Sequence, residues 1–428
     1  MKRLGGVKLS HHKNTENCSS QKLPVPEKVR IPMSMHIGAP CSPVVKIKDI
    51  VQVGQKIGDT DAFMAVPIHS GVSGTVTAIS DYRMSNGRTC KMVEITTDGE
   101  QSVSPEVKVP EVTDKDSFLK AIRQSGLVGM GGASFPACVK LAPKQSVDTL
   151  CINAAECEPY ITSDYRQMVE APDEVIDGVR QVMKWLSIKQ CIIGIESNKP
   201  EAIRILKEKA SSYPEIKISV LPCTYPQGAE KVLIYNTLGR IVMEGQLPAD
   251  QGVIVMNVSS VAFVSRYLKT GMPMVQRMLT VDGDAIKNPC NVIVPMGTPV
   301  ADVLNFAECE IDKVKKLLYG GPMMGMSIQD INDPVLKANN AILAMKKSQS
   351  PKSSACIHCG RCIQACPLDL MPPQICKAYE GKDVEALQKL KVMLCMNCGC
   401  CTYVCPAKRP VAETNQFAKA MVMASAKK

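Results

Sequence analysis

The chain has 428 residues, 45% of them hydrophobic and 4% aromatic, with 20 cysteines and a formal net charge of +10. That length accommodates two to four domains with cores of their own, and the hydrophobic share excludes a chain dominated by disorder. The opening "MKRLGGVKLSHHKN" lacks the apolar core of a secretory signal, and no apolar run reaches the roughly 18 to 20 residues of a spanning helix. A chain that does not itself cross a membrane and sits in a reducing compartment is therefore expected, its cysteines serving as metal ligands, reactive thiols or core residues rather than disulfides. The positive charge fits an anionic partner, whether an acidic electron carrier, a membrane face or nucleic acid, and fits a solubilising surface equally well.

From about Pro24 to Ile95, "VVKIKDIVQVGQKIG" and "PIHSGVSGTVTAI" read as short strands joined by glycine turns, which predicts a small all-β unit. Asp116 then stands as a candidate N-cap ahead of Phe118, Leu119 and Ile122. Between Ala121 and Leu268, buried-strand runs such as "TLCINA", "CIIGIES", "IKISVLP" and "GVIVMNV" alternate with helical stretches such as "PEAIRILKEKA", which predicts an α/β layer on a largely parallel sheet. "RMLTVDGDAIKNPCNVIVPMGTPVADVLNFA" returns to strands with one short helix and suggests a compact α+β insert, and "LAMKKSQSPKSSA" reads as a linker.

Four glycines in "GLVGMGGASFPACVK", Gly126, Gly129, Gly131 and Gly132, let backbone N–H groups approach a phosphate, with Lys140 as a nearby cation. The loop follows a helix rather than a strand, unlike an ordinary dinucleotide fingerprint, so a plain tight loop is an equal reading. "CINAAECEPY" ends an apolar strand in Glu156 and Glu158, where α/β sheets bind ligands; a solvated acidic turn is the alternative. "YPQGAEKVL", with Tyr225, Gly228 and Glu230, and "VMNVSS", with Asn257 at a strand end, repeat the theme.

"CIHCGRCIQACP" and "CMNCGCCTYVCP" share one rhythm, three cysteines at two-residue spacing, a fourth after three more residues, then proline. This is the bacterial ferredoxin pattern, in which the fourth cysteine of each run ligates the other cluster. It assigns Cys356, Cys359, Cys362 and Cys405 to one [4Fe-4S] cluster, and Cys395, Cys398, Cys401 and Cys366 to a second. Cys400 and Cys376 are left as non-ligands. Paired zinc sites in a nucleic-acid module are the competing reading, although zinc does not require the third cysteine of each run. Two clusters carry single electrons, whereas hydride donors deliver pairs, so the chain or a partner needs a group that splits the pair, usually a flavin.

In combination, "GMGGASFP" with Lys140, "INAAECEPY", "YPQGAEK", "MNVSS" and "YGGPMMG" resemble the flavin- and NADH-binding subunit of respiratory complex I. With "SGVSGTV", "IPMSMHIGAP" and the double cysteine run, nearly the whole chain is similar to the C subunit of the Rnf complex, a membrane-bound ferredoxin:NAD oxidoreductase coupled to ion pumping. The resemblance implies FMN as cofactor and NAD(H) as substrate in the central domain, held by Gly129, Gly131, Gly132, Phe135, Lys140, Asn153, Glu156, Glu158, Tyr225, Gly228, Glu230 and Asn257. No side chain is expected to act as nucleophile or general base. Ala155 and Ala229 stand where the complex I subunit has acidic residues. The implied architecture is multidomain α/β: an N-terminal barrel-sandwich-like β domain over 1–110, a Rossmann-like FMN/NADH domain over 111–273, a β-grasp insert over 274–332 and an α-helical two-cluster ferredoxin-like domain over 333–428. The β domain resembles a biotinyl or lipoyl carrier, but "DAFMAVP" offers no lysine for the cofactor. The implied partners are the other Rnf subunits, with attachment to the cytoplasmic face of the cell membrane through them and no nucleic acid. A related flavo-iron-sulfur enzyme working without membrane partners, such as a cobalamin reductase, is the alternative.

Overall fold

The runs Thr149–Ala154, Gln190–Glu196, Ile216–Leu221 and Val253–Asn257 form one fully parallel sheet in the computed structural model, which describes residues 4–85, 87–348 and 351–425. Burial on both faces explains their continuous apolar sequence. Leu150, Ile152 and Ile193 pack with the helix Pro172–Leu186 in the main core, while Cys151, Val253 and Val255 pack with Leu233 and Ile234 of the helix Glu230–Leu238. In space the strand 149–154 lies between 190–196 and 253–257. The chain thus builds outward in one direction, then returns to the other side of its first strand, and the crevice between 149–154 and 253–257 is the topological switch point. Asn153 and Asn257 stand opposite each other in register at the carboxyl ends of those two strands.

Ahead of this layer, Lys28–Pro32, Ile50–Val51, Gly74–Arg83 and Thr89–Thr97 form a four-stranded antiparallel sheet, and Ser42–Pro43, Lys56–Asp59 and Ile68–His69 a three-stranded one. Ile31, Val51, Ile57, Ile68, Val76 and Ile95 fill the space between them. The loop that would carry a cofactor lysine in a carrier domain instead presents Phe63, 80% exposed. The first helix, Lys115–Gln124, is capped by Asp114 rather than Asp116: Asp114 accepts from Ser117 N, and the Ser117 hydroxyl accepts from Asp114 N. That reciprocal box outcompetes a cap two residues on, and Asp116 falls in the first turn.

The third sheet has Gln276–Asp282 antiparallel to Cys290–Pro295 and parallel to Ala341–Met345, which is antiparallel to Lys316–Tyr319; the helix Val300–Phe306 lies between the two strand pairs in sequence. Leu343–Met345 of the expected linker are therefore the end of a central strand, fixed there because Ile342, Leu343 and Ala344 are buried. Residues 349–350 of that linker lie outside the described residues. The C-terminal lobe is helical, built from Arg361–Gln364, Pro372–Glu380, Val384–Lys389, Cys400–Tyr403 and Val411–Ser425 around Leu370, Ile375, Leu387, Val392 and Ala418.

Residues 4–22 do not join the two sheets of the N-terminal β domain. Gly5 lies against the Cys366 carbonyl, and Val7 exchanges two 2.9 Å backbone hydrogen bonds with Tyr225. Further on, His12 stacks on Tyr160 and the strand Ser20–Lys22 extends the third sheet alongside Cys290–Pro295. The tail thus straps the cysteine-rich lobe, the central sheet and the third sheet together. Among the described residues, no helix is long and apolar enough to cross a membrane.

Candidate cofactor sites

The glycine loop closes over the switch point. Gly129 N donates to Phe135 O at 2.8 Å and Val128 bridges Pro136, so residues 129–135 form a tight loop between the first helix and the short helix Ala137–Lys140. Met130 N donates to Ser260 Oγ at 3.0 Å, pinning the loop to the start of the helix Val258–Thr270. Gly131 adopts a left-handed backbone, and a Cβ there would lie 3.5 Å from Asn257 Nδ2, whereas one on Gly132 would meet nothing within 4 Å. Gly131 is thus required by conformation and Gly132 leaves open space.

Most of the other candidates gather at the strand ends. Asn153 donates to Gly228 O at 2.8 Å. Asn257 caps the following helix through Ser259 N and Ser260 N and donates to Asp164. Lys140 donates to Val255 O and pairs with Glu230 at 2.8 Å, at the start of the helix Glu230–Leu238. Glu156 and Glu158 are engaged in backbone contacts: Glu156 accepts from Asp164 N and Tyr165 N, and Glu158 from Met323 N and Met324 N. Burial pushes both carboxyls above the usual carboxylate range. The Tyr225 hydroxyl donates to Cys398 O at 2.8 Å, in the cysteine-rich lobe.

Several residues essential to this arrangement escaped sequence reasoning. Lys13, from the tail, donates to the carbonyls of Glu156, Glu158 and Ile161, and so sets the shape of the acidic turn. Buried Lys199 does the same for Ala155 O while paired with buried Glu196. Asp164 joins Asn257 to Ser259. Lys13 carried no local signal, because its acceptors are main-chain groups more than 140 residues away.

The cysteine runs interleave in space. Cys356, Cys359, Cys362 and Cys405 line one cavity of about 420 Å³, with Cys376 in its wall. Cys366, Cys395, Cys398 and Cys401 line a second, smaller one. Cys400 also borders the second cavity, and its thiol reaches the Tyr225 carbonyl on the central domain. Cys362, Cys401 and Cys405 pack in one apolar cluster with Cys376, so the two cavities adjoin.

Three family models match in succession: an RnfC barrel sandwich hybrid domain over 1–100, a Nuo51 FMN-binding domain over 122–266 and a 4Fe-4S dicluster domain over 349–406. The chain is 41% identical to the C subunit of the proton-translocating ferredoxin:NAD(+) oxidoreductase complex of Clostridium ljungdahlii, covering 87% of this chain and 83% of the relative. It is 40% identical to the Na(+)-translocating counterpart of Acetobacterium woodii, covering 94% and 93%. The chain belongs to the RnfC family, the C subunits of ion-translocating ferredoxin:NAD(+) oxidoreductase complexes. The fold also resembles a chain in the crystal structure of NAD+-reducing [NiFe]-hydrogenase in the air-oxidized state, with a TM-score of 0.51 at 17% identity over 72% of this chain and 63% of that one.

The crevice of this RnfC-family chain fits a flavin nucleotide. It has the glycine cradle, open space at Gly132, and two buried polar atoms without partners among the described residues, Ser163 Oγ and Gln227 Nε2, on the segments that follow the strand ends. The cysteine cavities fit four-iron clusters by donor set, with four thiols from two separated stretches around each. Among the described residues, no three His, Cys, Asp or Glu side chains converge tightly enough to hold a single ion. A cube that binds one thiolate at each of four irons takes its ligands from a wider cage than a lone zinc does.

Proposed function

We propose that this chain is the NAD(H)-side electron-transfer subunit of an ion-translocating ferredoxin:NAD oxidoreductase, with FMN in the switch-point crevice and a [4Fe-4S] cluster in each cysteine cavity. The observation that carries the reading is the direct junction of the two kinds of site: Tyr225, on the segment flanking the crevice, bonds to the Cys398 carbonyl in the wall of a cysteine cavity. When bound, FMN supplies the exchange between a hydride pair and single electrons.

The protein's part is position. Gly131 and Gly132 admit the nucleotide, Asn153 and Asn257 flank it, Lys140 offers a cation held by Glu230, and the turn bearing Glu156 and Glu158 is held rigid by Lys13. We assign Cys356, Cys359, Cys362 and Cys405 to one cluster and Cys366, Cys395, Cys398 and Cys401 to the other. The third sheet, with a hairpin, a helix and two further strands, supports the β-grasp reading of the insert but carries it past the expected end at 332 to Met345, the end of the strand parallel to Gln276–Asp282 at its centre. We assign the chain to the cytoplasmic side of the cell membrane, attached through the other subunits of the complex.

Anaerobic analysis of the purified chain tests the reading. It expects about eight irons and eight sulfides with one FMN per chain, and bleaching of flavin and cluster absorbance on adding NADH. A colourless, zinc-containing protein would refute it.

A further inference from the structure

Arg277 is 4% exposed, on the strand Gln276–Asp282 directly beneath the glycine loop. Its Nε donates to Asn339 O at 2.9 Å, but its Nη1 finds only the thioether of Met130 in that loop, and its Nη2 has no partner among the described residues. A thioether is a weak acceptor, and a guanidinium is always charged, so this is a buried cation whose outer edge is nearly unsatisfied.

The nearest carboxylates do not compensate it. Asp164 and Glu156 act on Arg277 only through their field, and both are committed elsewhere, Asp164 to Asn257 and Ser259, Glu156 to the first backbone N–H groups of the helix Ser163–Glu170. An unpaired buried charge is destabilising unless something brings a countercharge. The orphaned Ser163 Oγ stands at the start of that same helix, beside Asp164.

We propose that Arg277 is a binding residue for the phosphate of the nucleotide that occupies the crevice, its fork taking two phosphate oxygens from beneath the glycine loop. A planar guanidinium whose Nη1–Nη2 edge is held by nothing stronger than a thioether suits a tetrahedral oxyanion, and the glycine loop alone offers only neutral donors. The inference rests on the flavin reading of the crevice, and the phosphate has two possible sources, FMN or the dinucleotide.

The test uses the full chain stripped of flavin and titrated by calorimetry with FMN, with riboflavin, which lacks the phosphate, and with ADP-ribose. Arg277→Met is expected to weaken FMN at least tenfold and leave riboflavin within twofold. Arg277→Lys, which keeps the charge but not the fork, should fall between. If the dinucleotide supplies the phosphate, ADP-ribose weakens tenfold instead and FMN does not. Because the substitution removes an uncompensated buried charge, the unliganded Arg277→Met chain should melt no lower than the wild type. FMN and ADP-ribose both unchanged, FMN and riboflavin weakened by the same factor, or an unliganded variant that melts lower would each overturn the proposal. A wild-type chain that binds none of the three would instead overturn the flavin reading, so the two failures are separable.

Discussion

Lys337 shows what one buried charge does to the molecule. It is almost fully buried and donates to Pro67 O at 2.9 Å and Gly126 O at 2.6 Å, joining the β domain to the segment that leads into the glycine loop. Burial holds its ammonium down to about 7, against 10.5 in the ordinary range. Between those two pH values the unfolded chain carries a proton that the folded chain lacks, so folding stability rises with pH across the window. The slope is at most about 1.4 kcal/mol per pH unit. Urea denaturation at pH 7 to 9 should show that rise in the wild type and a shallower one in Lys337→Met; parallel curves would remove Lys337 as its source. Single residues were legible in the sequence where their role is local. Asn257 ends an apolar strand and caps the next helix, and both facts are written within four residues of it. Lys13, Arg277 and Lys337 act on partners far away in sequence, and no periodicity marks them.

At the scale of elements, the parallel sheet was readable because strands buried on both faces must be apolar throughout, and "TLCINA" and "CIIGIES" leave no polar face. The order of its strands sets the crevice, and the helices that cover it pack closely. Gly178 of the helix Pro172–Leu186 crosses the helix Val258–Thr270 so tightly that a Cβ would lie 1.9 Å from Val261 O. The clash is with backbone, which cannot swing aside, so Gly178→Ala should destabilise the chain by about 1–3 kcal/mol, measured as a lower denaturation midpoint with an unchanged slope. The tail was not readable. Its attachments, the backbone bonds of Val7 and the side-chain bonds of Lys13, Asn14 and Thr15, reach partners more than 140 residues away, and "KRLGGVKLS" carries no signal of them. Gly5 is the point at which it can be lifted, since a side chain there would meet Cys366 O at 2.4 Å and Gln364 O at 2.8 Å. Gly5→Val is therefore expected to speed hydrogen exchange at the mutually bonded amides of Val7 and Tyr225 by tenfold or more. Unaltered exchange at both would show that the tail is held without the Cys366 contact.

Across the whole molecule, the tail, the central sheet and the cysteine-rich lobe meet at Tyr225, which bonds to Val7 through its backbone and to Cys398 through its hydroxyl. That meeting could not be foreseen from the motif, which suggested only a flavin contact for Tyr225. The gathering of the cysteines was foreseeable, because in the bacterial two-cluster ferredoxin pattern the fourth cysteine of each run serves the other cluster. Cys366 follows the helix Arg361–Gln364 and lines the cavity of Cys395, Cys398 and Cys401, while Cys405 follows the helix Cys400–Tyr403 and lines the cavity of Cys356, Cys359 and Cys362. If each cavity holds one cluster, a cluster depends on a cysteine from the other run. Cys366→Ser and Cys395→Ser should then remove the same reduced-state EPR signal, and Cys356→Ser and Cys405→Ser the other, each with a loss of about four of eight irons. The pairing that distinguishes this arrangement is Cys366 with Cys395 rather than with Cys356, which lies only ten residues before it. Loss of one common signal in Cys356→Ser and Cys366→Ser would mean that each run closes its own site, and the crossing of the two runs between the cavities would then have no electronic role.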